Sequence, residues 1–145
     1  MKHATAIPSC LLLLALAVSE GCSRQSKLAD QIAGANRVIV LKRTAPREAV
    51  SMSLEGEEAI TIIRAAASAT PYKIRGGGAA PAFDDNIKLE FLRGSNTLAV
   101  LISNEGVFST DGKEYLDDTG ALRALRSAPL GKWQPTSYEQ YERLR

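Results

Sequence analysis

"NIKLEFLRGSNTLAVLIS", Asn86 to Ser103, changes pattern at its middle, and the change reads as a hairpin. In the first half Ile87, Leu89 and Phe91 alternate with Lys88 and Glu90, the period of two that puts apolar side chains on one face of a strand. "RGSN", Arg93 to Asn96, supplies the turn. "TLAVLIS", Thr97 to Ser103, is apolar on both faces and suits a central strand. A second turn at Asn104 to Gly106 leads into "VFST", and Asp111-Gly112 leads into "KEYL", so the whole stretch is an antiparallel meander.

Upstream, "RVIVLK", Arg37 to Lys42, is a β-branched run fit for a buried strand, and Pro46 ends it. "EAVSMSL", Glu48 to Leu54, alternates Val50, Met52 and Leu54 with small or polar residues and completes a hairpin with it. The period then lengthens. Ala59, Ile62, Ile63 and Ala66 fall on one helical face, Glu57 and Glu58 suit the positive end of the helix dipole, and Pro71 stops the run. Residues 72–85, "YKIRGGGAAPAFDD", read as a loop. A second helix is expected at about Gly120 to Ser127, with Leu122 and Leu125 inward and Pro129 closing it. The C-terminal stretch carries Trp133, and Ser137 and Gln140 have the spacing of a capping box for a last short helix.

The pattern predicts an α+β domain over 37–130: a single antiparallel sheet of about five strands in the order ββαβββα, with the helices on one face. Residues 22–36, polar apart from Leu28 and Ile32 at a helical spacing, read as a linker, with a short helix capped by Ser26 as the alternative, and residues 131–145 read as a C-terminal extension with a short helix.

Asp118-Thr119-Gly120-Ala121 matches the residues around the catalytic aspartate of aspartic proteases, which share a proton between two facing carboxylates. In that family the motif leaves an apolar strand early in each lobe. Here it follows a charged segment near the C-terminus and enters an amphipathic helix, so a helix start is the preferred reading. The one histidine is His3, which removes Ser-His-Asp and Cys-His sets from the folded region and leaves no imidazole for a metal. A carboxylate pair or a Ser-Lys dyad stays open as a hydrolase alternative, but no motif points to one, and no catalytic residue, metal or cofactor is expected. Gly76, Gly77 and Gly78 lead to Ala-Ala-Pro rather than to a helix with a following Lys, so they suit a contact loop better than a phosphate cradle. Trp133 and Tyr138 have the amphipathic chemistry of interface residues, but packing across the domain's open sheet edge is the preferred reading, with a binding role as the alternative.

The N-terminus supplies a location. Lys2 and His3 precede an apolar run, Cys10 to Val18, too short to span a bilayer, and small residues then lead to Cys22. This is the layout of a secretory signal over 1–21, and "VSEGCS" resembles the lipobox of bacterial lipoproteins, with Gly21 before a lipidated Cys22. The resemblance implies that Cys22 becomes an acylated N-terminus anchored in the bilayer. With Ser23 following, it implies outer-membrane retention facing the periplasm in a host with two membranes. Ordinary signal peptidase could cut at the same place, and the product would then be a secreted soluble chain. Cleavage removes Cys10, so no internal disulfide can form, and lipidation would remove the one exposed thiol. It also removes Lys2 and Glu20 together, so the net charge stays at +2 with the signs mixed along the chain; nucleic acid is not an expected partner. The expected role is a non-enzymatic envelope module that binds another envelope protein or the wall, with a secreted inhibitor using residues 74–83 as the alternative.

Overall fold

The computed structural model describes residues 27–72, 87–104 and 106–144. The hairpin at its centre pairs Ile87–Arg93 with Asn96–Asn104, and the apolar positions of the first strand, Ile87, Leu89 and Phe91, are fully buried. In chain order the strands are β1 (Arg37–Ala45), β2 (Glu48–Glu55), β3 (Pro71–Tyr72), β4 (Ile87–Arg93), β5 (Asn96–Asn104), β6 (Val107–Thr110), β7 (Lys113–Leu116) and β8 (Gln134–Thr136). They form one sheet in the order β3-β7-β6-β5-β4-β1-β2-β8. Every neighbouring pair is antiparallel. β4 to β7 are the meander read from the sequence, and β1 and β2 are the upstream hairpin.

The helices are α1 (Lys27–Gln31), α2 (Gly56–Ala67), α3 (Ala121–Ala124) and α4 (Tyr138–Arg143), with 3-10 turns at Leu125–Ser127 and Leu130–Lys132. α2 buries Ala59, Ile62, Ala65 and Ala66 against the face of the sheet that carries Val38, Val40, Met52, Leu54, Leu89, Phe91, Leu101 and Phe108. Leu28 of α1, Ile32 just after it and Leu122 of α3 close the same core. Each fully buried large aliphatic side chain contributes about 1.5–3 kcal/mol, so these few positions dominate the packing.

The structure departs from the sequence expectation in four ways. Among the described residues the sheet has eight strands rather than about five, and there are four α-helices. The two outermost strands, β3 and β8, are only two and three residues long; pairing with a longer neighbour creates them. The helices also occupy both faces. α4 packs Tyr141 on Leu41 and Ala49, and Leu41 points opposite to Val40 because side chains alternate along a strand. The third departure is α1, which lies inside the segment read as a linker, where Leu28 and Ile32 are 0% and 1% exposed. Finally, residues 131–145 are integral rather than appended, because β8 pairs with β2 and α4 covers β1.

One close approach fixes how α1 leaves the core. Gly34 has φ +80, and a Cβ there would lie 2.9 Å from the Arg93 guanidinium, which donates a hydrogen bond to Ala33 O at 2.6 Å. The positive φ is what favours glycine here, and a Cβ would in addition make the flexible Arg93 side chain shift. At the other end, the Ser137 side chain accepts a hydrogen bond from Gln140 N at 3.1 Å and caps α4.

Candidate functional site

Among the described residues the sheet has a gap. β5 has nine residues and β6 has four, and β6 pairs only with Ile102, Ser103 and Asn104. Asn36 N donates to Leu92 O, so the even-numbered backbone groups of β4 face β1 and the odd-numbered groups face β5. Phe91, Leu89 and Ile87 therefore bond with Ala99, Leu101 and Ser103. It follows that the amide and carbonyl of Val100, like those of Ile102, point the other way, toward β6. Ile102 has Ser109 opposite, whereas Val100 has no strand opposite among the described residues.

Two local features open this gap. The partners of β4 step from Thr97 to Ala99, so Leu98 is a bulge residue, and bulges bend the strand that carries them. On the other side, Asp111 and Gly112 have φ of 48 and 71, the left-handed pair of a tight hairpin turn, and they carry the chain into β7 before it can reach Val100. Between them lies a groove of about 310 Å³ lined by Leu98, Val100, Ile102, Ser109 and Asp111 among others. Leu98 and Val100 are half-buried, while Thr97 and Asp111 are exposed. Asp111 is the one charged side chain among the described lining residues, and its Oδ2 accepts from Gln31 Nε2 at 2.9 Å.

The ends of the sheet are treated differently. β3 carries Pro71 and β8 carries Pro135, and proline offers no amide hydrogen to an incoming strand. The free stretch of β5, "TLAVL", has no proline, glycine or charge. It has the composition that strand pairing favours.

The residues singled out in the sequence fall elsewhere. Trp133 is half-buried against the main core and donates from Nε1 to Ala128 O at 3.2 Å. Tyr138 belongs to the cluster on the opposite face and stacks on Tyr141 with ring centroids 6.0 Å apart. The structure therefore does not bring these two into one site. Cys22, Gly76, Gly77 and Gly78 lie outside the described residues. Asp117 and Asp118 hold backbone: Asp117 Oδ2 accepts from Arg123 N at 2.8 Å, Asp118 Oδ2 from Thr70 N at 2.8 Å, and Thr119 Oγ1 from Ala121 N at 3.2 Å. Gly120, at φ 68, occupies the N-cap position, so the Asp-Thr-Gly-Ala stretch is the start of α3.

Two further hollows are built mainly from structural contacts. Lys42, Arg43 and Arg126 line a basic one of about 380 Å³. There Lys42 Nζ donates to Arg126 O at 3.3 Å, and Arg126 donates to Ser103 O at 3.1 Å, which ties the turn after α3 to the sheet. An apolar cleft of about 250 Å³ lies between α2 and residues 125–132, with Lys132 and Glu58 paired at its rim. Among the described residues no three or more His, Cys, Asp or Glu side chains could hold a metal, and no helix is long and apolar enough to cross a membrane.

The sequence signal for the groove was the unequal length of "TLAVLIS" and "VFST". Length alone does not say which end of β5 is left over; the register does. Comparison with protein-family models, with curated proteins and with solved structures finds no match.

Proposed function

We propose that this chain is a membrane-anchored envelope lipoprotein without enzymatic activity, whose folded domain binds another envelope protein along the open edge of β5. The anchoring half of the reading is supported by the signal-like layout of residues 1–21 and the lipobox-like residues before Cys22. The binding half is carried by one observation: the Val100 backbone faces an open groove in a sheet whose outer strands both carry proline.

The two halves are tested separately. Intact mass of the mature protein from membrane and soluble fractions, compared with Cys22→Ala, addresses the anchor. A membrane species starting at Cys22 with added acyl mass, absent in the variant, is expected; an unmodified soluble wild-type chain refutes anchoring. Amide exchange addresses the edge. Val100 is expected to exchange fast while its neighbours Ala99 and Leu101, bonded to β4, exchange slowly. Equal protection of all three refutes the open edge.

A further inference from the structure

The gap beside Val100 has a definable occupant. We propose that it takes an extended peptide segment of another protein as an added strand, with a lysine or arginine of that segment meeting Asp111. This rests on the reading of the β5 edge as the binding surface and names the chemistry of what binds there.

Backbone complementarity selects an extended chain. The outward amide and carbonyl of Val100 are matched by the main chain of any strand laid against them, and side chains then decide which strand. The unpaired part of β5 runs from Asn96 to Leu101, so the added segment has room for about four to six residues at ~3.4 Å each.

Charge separates this occupant from the simplest competitor. The wall of the groove is formed by Ser109, Thr110, Asp111 and Gly112. A second copy would lay its own free stretch, Thr97 to Leu101, against this edge, and that stretch has no basic side chain to meet Asp111. A segment with a lysine or arginine at its end supplies one.

Side chains on the groove give the pattern. Val100 and Ile102 share one face of the sheet, while Ala99 and the buried Thr110 share the other. Residues of an added strand beside Val100 meet apolar surface, and those on the opposite face meet the small Ala99, so small or β-branched residues fit best. The single lining charge, the exposed Asp111 carboxylate, favours a basic side chain at the end of the segment nearest the turn.

The test uses the exported chain carrying Cys22→Ala and a fluorescein-labelled heptapeptide that alternates valine with threonine and has one lysine. Two further peptides are N-methylated, one on its odd residues and one on its even residues. Fluorescence anisotropy is expected to show binding of the parent peptide below about 1 mM. One methylated peptide should bind like the parent, and the other should lose about fivefold, the cost of the one hydrogen bond of about 1 kcal/mol that its N–H donates to Val100 O. Asp111→Asn should weaken the lysine peptide by about two- to fivefold and leave a norleucine version unchanged. Asparagine tolerates the positive φ at this position and can still accept from Gln31, so the turn survives.

No binding of the parent peptide, equal binding of both methylated forms, or an unchanged affinity in Asp111→Asn overturns the proposal. So does concentration-dependent dimerisation that Val100→Lys abolishes, which would make a second copy the occupant. The amide of Val100 separates the two levels of failure. Slow exchange in the free chain sinks the open edge itself, whereas fast exchange without peptide binding sinks only the occupant.

Discussion

Leu28→Ala is expected to destabilise the domain by about 3 kcal/mol, although Leu28 lies in a segment that looks like a linker. Leu28 and Ile32 are 0% and 1% exposed and belong to the main core cluster with Val38, Phe91 and Leu122. α1 has five residues, far too few to persist on helix propensity alone, so burial of these two side chains is what holds it. Removing a fully buried leucine side chain loses its transfer free energy and leaves a cavity, together about 2–5 kcal/mol. Against a total stability of about 5–15 kcal/mol that is a large share. Urea unfolding followed by the single tryptophan, Trp133, which packs on the same cluster, is a suitable assay. With a slope of about 1.5 kcal/mol/M, the midpoint should fall by about 2 M. Lys27→Ala, an exposed neighbour in the same helix, should move it by less than about 0.3 M. Equal, small shifts in the two variants would refute the reasoning and return residues 27–32 to the status of a tether.

Ser137→Ala removes the one side-chain cap of α4 and should cost about 1 kcal/mol, read as a lower melting temperature and faster amide exchange over Tyr138–Arg143; an unchanged exchange pattern would mean that Tyr141 alone holds the helix. Gly34→Ala forces a side chain into φ +80 and pushes Arg93 off Ala33 O, so a loss of about 1–2 kcal/mol is expected in the same urea assay. A variant as stable as wild type would show that Arg93 gives way without cost.

The parts of the fold legible in the sequence were those whose signal is repeated. The period of two in Ile87, Leu89 and Phe91, and the period near 3.6 in Ala59, Ile62 and Ala66, each recur often enough to name an element. β3 and β8 have no such signal: a two- or three-residue strand with a proline exists because a neighbour offers it a ladder, a tertiary decision. Leu28 and Ile32 form a single i, i+4 pair in a polar segment, which is equally consistent with chance; burial depends on the sheet face they land on. The capping spacing of Ser137 and Gln140 announced α4, but nothing local says that α4 crosses to the far face. The groove was half legible for a similar reason. The sequence carries the unequal strand lengths, while the bulge at Leu98 and the left-handed Asp111 set where the excess of β5 comes free.

Burial of Leu28 shortens the leash. Under the proposed anchoring at Cys22, only residues 22–26 separate the acylated end from the first turn of α1, and a fully extended chain of that length spans about 17 Å. The domain could then neither range far into the surrounding space nor reach a distant layer; it would skim the bilayer that holds it. Confinement of that kind raises its local concentration against anything else in the same membrane, so even a short strand contact, weak between freely diffusing molecules, would be occupied much of the time. Lengthening the 22–26 segment with glycine and serine would leave the fold untouched and dilute that advantage.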